Sequence, residues 1–220
     1  MPSHLARHWT FDASRVFLNH GSFGACPDFV ITEQRKWQDL MEREPVRFFE
    51  ELMPELLLKS REALGSFLSC SADDLAFVSN ATSGVNTILR SLHFEQGDEI
   101  LVPNHAYQAC RNTIDFVASR WGVKVVEVAI PFPIDGPQAV IDLMKSACSE
   151  RTKLVMIDTV TSPTGLRMPF EELTEFFEGN GVEVLLDAAH GIGMIPLNLE
   201  KLGASYLSLI HISEPTRQKP

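Results

Sequence analysis

One short segment, residues 182–190, places polar side chains directly after an apolar run. Val182–Leu186 follows a glycine-rich stretch and predicts a buried strand of a parallel sheet. Asp187 comes at its C-terminal end, where open α/β sheets bind ligands, and His190 lies three positions later. An acid beside small residues suits a flat heteroaromatic cofactor whose ring nitrogen stays protonated, such as pyridoxal phosphate. The alternative is a strand-end Asp that caps the next turn, and this segment alone favours neither.

A second group of candidate residues occupies positions 79–86, Ser-Asn-Ala-Thr-Ser-Gly-Val-Asn. A predicted strand, Leu75–Val78, leads into this run of small and hydroxylated residues, and a predicted helix follows it. Free backbone N–H groups, the positive end of the helix dipole and hydroxyl donors together make an anion site. Thr82 or Ser83 alone is also explained as a helix N-cap, but capping does not require a cluster of small side chains.

Two further loops carry polar side chains after predicted strands. His105 and Tyr107 follow the strand that ends at Val102, and either ring can stack on a flat cofactor; a lone loop histidine is more often an ordinary surface residue. The hydroxyls of residues 159–164 follow another strand and can reach a phenolic oxygen or a substrate, although residues 162–165 also fit an ordinary turn. All four segments come at the C-terminal ends of successive strands, so together they predict one binding crevice.

The elements that position these residues alternate between strand and helix after Ser71. The predicted strands are Leu75–Val78, Glu99–Val102, Val123–Ala129, Lys153–Asp158 and Val182–Asp187. The predicted helices are Gly84–Leu92, Gln108–Trp121, Ala139–Cys148 and Phe170–Glu178. This alternation predicts an α/β fold with a parallel sheet covered by helices on both faces. The preceding residues predict an extended entry, a helix opened by Pro27 and, after a break at Pro45, a second helix over Phe48–Leu68.

Composition and charge narrow the class of protein further. The chain of 220 residues is 45% hydrophobic and carries a net charge of −10, which argues against partners such as nucleic acid or an anionic membrane. No apolar run approaches the roughly 20 residues of a membrane span, and the N-terminus has no signal-peptide core. The four cysteines form no CxxC pair, which is typical of reduced thiols rather than of a disulfide framework or a metal site. We therefore expect a soluble cytoplasmic protein.

Four motifs follow one another in the order and spacing of class V aminotransferases, and the chain resembles that family. The motifs are Asn80-Ala81-Thr82, Pro103-Asn104-His105, Thr161-Ser162-Pro163-Thr164-Gly165 and Asp187-Ala188-Ala189-His190. The family consists of fold-type I pyridoxal-phosphate enzymes and includes the cysteine desulfurases. Residues 17–24 and 44–49 most resemble the isopenicillin N epimerase-like branch. The resemblance runs from about Arg15 to Tyr206 and implies a fold-type I large domain with a parallel-rich sheet flanked by helices.

The resemblance also implies roles for residues of the first two motifs. Ala81 and Thr82 would hold the phosphate of pyridoxal 5'-phosphate, and Ser83 would assist through its backbone. His105 would lie over the pyridine ring of the cofactor.

Further roles follow for the last two motifs and for the N-terminal segments. Asp187 would pair with the ring nitrogen, and His190 would sit near the phenolic oxygen. Ser162 stands where many desulfurases have Asn, so a cofactor contact there departs from the desulfurase pattern. The residues that would line the substrate side are Asn19, His20 and Arg47.

The family also requires a lysine that holds the cofactor as a Schiff base, shortly after the strand that follows residues 202–206. No lysine stands there: Lys201 precedes the strand, and Lys219 lies in a polar tail. Leu207–Arg217 resembles the translation of a sequencing-library adapter, and the alternative is a native strand over Tyr206–Ile212 with a disordered tail. We therefore expect the N-terminal part of a longer enzyme, inactive as written. Residues 1–70 would form an arm and helices, 71–206 a partial cofactor-binding domain and 207–220 a non-native tail.

For the complete protein, the resemblance implies a pyridoxal-phosphate enzyme that acts on an amino acid, of the isopenicillin N epimerase-like kind, and that forms a homodimer. A cysteine desulfurase or C–S lyase is the alternative within the family, because epimerisation, desulfuration and elimination share their first steps. Outside the family, the alternatives are a non-catalytic α/β nucleotide-binding domain and a partner subunit. For the former, His190-Gly191-Ile192-Gly193 lacks the third glycine of GxGxxG. The sequence does not specify the amino acid.

Overall fold

The structure, a computed structural model, describes residues 4–20 and 24–210. These residues form two compact units, one of residues up to 77 and one of residues 78–210. Within the described ranges, no helix is long and apolar enough to cross a membrane. The same ranges contain no cluster of three or more His, Cys, Asp or Glu side chains that suits a metal ion.

The first unit is built from helices. A 3-10 turn, His4–His8, precedes α1 (Asp28–Arg43), which begins directly after an extended Pro27. The short helix α2 (Pro45–Arg47) continues through the π-helical turn Phe48–Leu52 into α3 (Met53–Leu68). None of the residues of α1 is buried, and α3 buries only Gly65 and Leu68. This unit therefore has little core of its own.

The second unit is a parallel α/β structure. In chain order it contains α4 (Ala81–Ser91), β1 (Glu99–Pro103), α5 (Gln108–Trp121), β2 (Lys124–Val128), α6 (Pro137–Ser146), β3 (Thr152–Asp158), α7 (Phe170–Gly179), β4 (Glu183–Asp187), α8 (Leu199–Leu202) and β5 (Tyr206–Ser208). The described strands are parallel and lie in the order β2-β1-β3-β4-β5. The direction of winding reverses between β1 and β3, which is the topological switch point of such a sheet. The predicted parallel α/β fold is confirmed.

Both faces of this sheet are covered, which explains why its central strands are buried along almost their whole length. Met156 and Leu185 point to the face that packs against Val85 and Leu89 of α4 and Ile114 of α5. The alternate strand residues, among them Val155, Ile157 and Leu186, point to the other face. There they pack against α6 and α7, which contribute Met144, Leu173 and Phe177. The two helical layers thus leave the carboxyl ends of the strands open to the loops.

The prediction of a strand over Leu75–Val78 is wrong. These residues follow the 3-10 turn Ala72–Asp74, and they form no ladder with a described strand. Phe77 is 54% exposed and Val78 46% exposed. A short apolar run matches the pattern of a strand, but a strand also needs a partner for its N–H and C=O groups.

The segment that resembles an adapter begins inside the described sheet. Leu207 and Ser208 lie in β5, where they pair with Leu186 and Asp187 of β4. Residues 211–220 lie outside the described residues, and with them most of the segment assigned to a non-native tail. The predicted boundary at residue 207 therefore stays a prediction.

Helix α4 approaches β5 closely at Gly84. A Cβ atom on Gly84 would lie only 2.3 Å from Ser208 Oγ and 3.2 Å from Ser208 Cβ. The Ser208 hydroxyl is buried and donates a hydrogen bond of 2.7 Å to Ala81 O. Glycine at position 84 therefore allows the first turn of α4 to sit at the carboxyl end of the sheet.

We predict that Gly84→Ala lowers the melting temperature, because overpacking of a tight contact costs about 1–3 kcal/mol. Gly179→Ala is the matched control: it also replaces a helical glycine, but a Cβ atom there meets nothing within 4 Å. The control should gain up to about 1 kcal/mol from helix propensity. Thermal unfolding followed by circular dichroism measures both variants. Equal stabilisation by the two changes would show that α4 does not need its close approach to β5.

Candidate functional site

Three polar side chains stand in a row at the carboxyl ends of β3, β4 and β5. Asp158, Asp187 and Ser208 are register partners on neighbouring strands, and such strands lie about 4.8 Å apart. They share the sheet face that α4 and α5 cover, because Met156 and Leu185, two residues earlier in their strands, pack there. All three residues are buried, with 3–4% of their surface exposed. This polar row is the floor of the predicted crevice.

Asp187 uses both of its carboxylate oxygens. The Ala189 N–H donates to Oδ1 over 3.1 Å, and the Cys110 thiol donates to Oδ2 over 3.3 Å. The bond from the Ala189 N–H shows that Asp187 caps the turn after β4, which the sequence analysis gave as an alternative to cofactor binding. A carboxylate oxygen can accept more than one hydrogen bond, so capping the turn does not prevent Asp187 from binding a further donor.

The carboxyl groups of Asp158 and Asp187 differ in the groups that stabilise their ionised forms. Burial raises the pKa of Asp187, and the Ala189 amide, the Cys110 thiol and the charge of His190 counteract this rise. Burial also raises the pKa of Asp158 well above its ordinary value, and the negative charge of Asp187 raises it further.

Asp158 has weaker compensation than its neighbour. Backbone N–H groups of Tyr107 and Ser162 favour its charged form, but its Oδ1 atom is buried without a hydrogen-bond partner among the described residues. The Asp158 carboxyl therefore keeps its proton to higher pH than an ordinary aspartate, and the charged form of Asp187 is the better supported of the two.

Cys110 supports Asp187 from α5, and the sequence analysis did not identify it. It is fully buried. Burial is the main cause that raises the pKa of its thiol; the charge of Asp187 raises it further, and the Thr82 hydroxyl acts in the opposite direction. The thiol therefore stays protonated and serves as a donor to Asp187. A cysteine on the apolar side of a helix shows no sign of this role in sequence, because its partner lies 77 residues away.

The N-terminus of α4 is capped by Asn80, rather than by Thr82 or Ser83. Asn80 Oδ1 accepts from the Ser83 N–H over 2.8 Å, so the Ser83 amide expected at the phosphate serves the cap here. The Ser83 hydroxyl pairs with the Ser79 hydroxyl at 2.9 Å. Of the amides that a helix start leaves open, those of Ala81 and Thr82 are left for an anion.

His105 connects the ends of three neighbouring strands. It follows β1, its Nε2 lies 3.0 Å from Ile130 O after β2, and its Nδ1 lies 2.9 Å from Thr164 Oγ1 after β3. Asn104 holds Ile130 through two further hydrogen bonds, to its N–H at 3.0 Å and its carbonyl at 3.3 Å. His105 is buried, with 6% of the residue exposed. These bonds place it at the topological switch point.

The remaining cofactor candidates lie in the loops after β3 and β4. Ser162 is exposed, and the hydroxyls that enter the His105 network are instead those of Thr161 and Thr164. His190 is half-buried in the turn after β4, where its charge stabilises ionised Asp187.

The three substrate-side candidates belong to the first unit. His20 packs against aromatic rings, with centroid distances of 4.8 Å to Phe17 and 5.6 Å to Phe11. Arg47 lies on the surface, 2.9 Å from Glu44 and 3.5 Å from Glu51. Asn19 is exposed. Contacts of these residues with a substrate stay predictions.

The residues of the crevice fit a flat, phosphorylated heteroaromatic ring. Open amides at the start of α4 suit a phosphate, the buried His105 ring offers a flat face, and ionised Asp187 suits a protonated ring nitrogen. A covalent anchor is not among these residues: Lys201 lies on exposed α8, and Lys219 lies outside the described residues.

A parallel α/β sheet with polar loops at its switch point defines a class of cofactor-binding proteins. Within that class, the chain belongs to the class-V aminotransferase family, which matches residues 32–209. This family is pyridoxal-phosphate dependent. The recognised resemblance is thereby confirmed.

Among its curated relatives, the chain is 32% identical over 219 residues to an L-cysteine desulfhydrase of Arabidopsis thaliana, covering 93% of the chain and 48% of that protein. It is 29% identical over 195 residues to the isopenicillin N epimerase of Streptomyces clavuligerus, covering 89% of the chain and 49% of the epimerase. The chain thus spans about half the length of the curated relatives it matches.

Solved structures show the same fold. A cystine C–S lyase in complex with its product, cysteine persulfide, superimposes with a TM-score of 0.83 at 20% identity, covering 90% of this chain and 53% of the lyase. A cysteine desulfurase of Escherichia coli gives a TM-score of 0.75 at 18% identity, covering 87% and 49%. The fold-type I architecture is therefore confirmed.

We predict that Asp158→Asn raises the free energy of unfolding at neutral pH and flattens its pH dependence. A carboxyl with a raised pKa binds its proton more tightly in the folded chain than in the unfolded chain. Its unfavourable contribution is absent below the ordinary pKa of 3.8 and grows as the pH rises towards the folded pKa. Urea unfolding from about pH 4 to about pH 8 measures the difference. Exposed Asp135→Asn is the control; the same curve for both variants would mean that burial does not raise the pKa of Asp158.

Proposed function

We propose that this chain supplies the cofactor-binding half of a pyridoxal-phosphate enzyme that acts on an amino acid. The observation that carries the proposal is the buried Asp187 carboxylate at the end of β4, held by the Ala189 amide and the Cys110 thiol. Burial and the charge of Asp187 raise the pKa of its neighbour Asp158 well above the ordinary value, so the charged form of Asp187 is the better supported of the two. A buried anion with spare acceptor sites suits a protonated ring nitrogen.

When bound, pyridoxal phosphate acts as an electron sink for a bond broken at the α-carbon of an amino acid. Asp187 would keep the proton on the ring nitrogen, because a nearby negative charge favours the charged form of that nitrogen. The amides of Ala81 and Thr82 would bind the phosphate at the positive end of α4. His105, tied at both ring nitrogens, would cover one face of the ring and exclude water from it.

The remaining candidate residues enter the proposal with less support from the geometry. His190 lies in the turn after β4 and would face the phenolic oxygen of the cofactor. The side chain of Ser162 is exposed, and its backbone N–H donates to Asp158, so Ser162 would support the site through Asp158. Asn19, His20 and Arg47 would contact the substrate.

The reaction we propose is that of the isopenicillin N epimerase-like branch, inversion at the α-carbon. A second candidate, release of sulfide from L-cysteine, is favoured by relatives named L-cysteine desulfhydrase, with identities up to 33% against 29% and 31% for the two epimerases. Both reactions begin with removal of a proton from the α-carbon, so the same cofactor contacts serve either one.

Catalysis by the family requires a Schiff-base lysine, and the described residues place none in the crevice. The chain as written is therefore proposed to be inactive on its own. A homodimer is also part of the proposal, supported by the fold-type I resemblance alone. A cytoplasmic location is supported by the cysteine pattern, whereas the name of one relative contains the word chloroplastic.

We predict that this chain binds pyridoxamine 5'-phosphate, a probe with the ring and phosphate of the cofactor that needs no lysine. Asp187→Asn should weaken binding about ten- to a hundredfold, because a hydrogen bond to a charged group contributes about 1.5–3 kcal/mol. Exposed Asp135→Asn is the matched control. Fluorescence titration of the probe gives the affinities, and pyridoxamine without the phosphate tests the α4 site. If Asp187→Asn bound pyridoxamine 5'-phosphate as tightly as the unmodified chain, Asp187 would only cap the turn after β4.

We predict that the whole product of this gene, loaded with pyridoxal phosphate, exchanges the α-proton of its amino-acid substrate with solvent. Incubation with L-cysteine in deuterated water, with sulfide release and deuterium incorporation measured in parallel, separates the candidates. Sulfide release supports the desulfhydrase, and exchange with inversion of an amino acid but no sulfide supports the epimerase. If no amino acid gave either sulfide release or α-proton exchange, the proposed function would be contradicted.

A further inference from the structure

A chain of hydrogen bonds leads to His105 from the loop after β3. The Leu166 N–H donates to Thr161 Oγ1 over 2.9 Å, Thr161 Oγ1 lies 2.7 Å from Thr164 Oγ1, and Thr164 Oγ1 lies 2.9 Å from His105 Nδ1. On the other side of the ring, His105 Nε2 lies 3.0 Å from Ile130 O. Every atom of this chain therefore has a neighbour at good hydrogen-bonding distance.

With a neutral His105 ring, the two ends of the chain favour one direction for every bond in it. The Ile130 carbonyl can only accept, so His105 Nε2 must carry a proton. The Leu166 N–H can only donate, so Thr161 accepts there and its own hydroxyl proton points onward. The other acceptor for that proton, Leu166 O, lies 3.4 Å away, farther than Thr164 at 2.7 Å. Thr161 thus donates to Thr164, and Thr164 donates to Nδ1.

We propose that Thr161 and Thr164 are positioning residues that hold neutral His105 as the Nε2–H tautomer and fix the plane of its ring. Hydrogen bonds at both nitrogens lie in the ring plane and so resist rotation about the side-chain bonds. Thr161 is 1% exposed, so water competes little for its hydroxyl.

The consequence for the cofactor rests on the proposed function. A ring whose two nitrogens are both engaged with protein presents only its flat face, so His105 would stack on the cofactor without donating a proton to it. The assignment of the tautomer does not rest on the cofactor, because all the contacts come from this chain.

The test is the tautomer of His105 in the cofactor-free chain, labelled with nitrogen-15 at histidine. Long-range proton–nitrogen NMR spectra at about pH 8, above the ordinary histidine pKa of about 6.5, distinguish a protonated from an unprotonated ring nitrogen. His105→Gln identifies the signals. We expect a protonated Nε2 and an unprotonated, hydrogen-bonded Nδ1 in the unmodified chain.

Thr164→Val keeps the shape of the side chain and removes its hydroxyl, so the Nδ1 signal should move to the position of a nitrogen without a donor. Thr164→Ser should restore it, and Thr87→Val, on the exposed side of α4, should leave it unchanged. A protonated Nδ1 in the unmodified chain, or an unmoved Nδ1 signal in folded Thr164→Val, overturns the proposal. Failure of the chain to bind pyridoxamine 5'-phosphate would count against the proposed function, but it would not affect the assignment of the His105 tautomer.

Discussion

The parallel register of β3, β4 and β5 is the constraint on which the candidate site depends. It sets Asp158, Asp187 and Ser208 side by side on one face of the sheet, and burial of two carboxyls there is unfavourable unless donors are near. The donors come from the covering helices and their loops: Cys110 of α5 bonds Asp187, and Ser208 in turn holds Ala81 at the start of α4. The position of both helices is therefore tied to the strand ends that form the crevice.

Hydrogen bonds between loops hold the other half of the crevice, around the topological switch point. There the chain leaves β1 on one side and β3 on the other, so two neighbouring strand ends diverge and a gap opens between their loops. His105 closes part of this gap by bonding Ile130 and Thr164. One half of the crevice thus depends on backbone register, and the other half depends on a single buried side chain and its partners.

The sequence predicts those parts of the site that depend on local pattern. Asp187 follows an apolar run, and His105 follows another, so their positions at strand ends are readable from periodicity. The partners are not readable, because Cys110 lies 77 residues from Asp187 and Thr164 lies 59 residues from His105. The predicted strand Leu75–Val78 fails for a related reason: its apolar run is local, whereas a strand requires a ladder partner elsewhere in the chain. The sequence offered Thr82 or Ser83 as the N-cap of α4, but the cap in the structure is Asn80, because capping geometry as well as residue type selects the residue.

The two buried carboxyls at the ends of β3 and β4 are supported unequally. Both groups are buried one strand spacing apart, so ionisation of one disfavours ionisation of the other. Asp187 receives donors on both oxygens and the charge of His190, whereas Asp158 Oδ1 receives none. The charged form of Asp187 is therefore the better stabilised of the two, and a proton on Asp158 would prevent the repulsion that a second anion adds. A neutral acid beside an ionised one lets a deeply buried site keep a single negative charge.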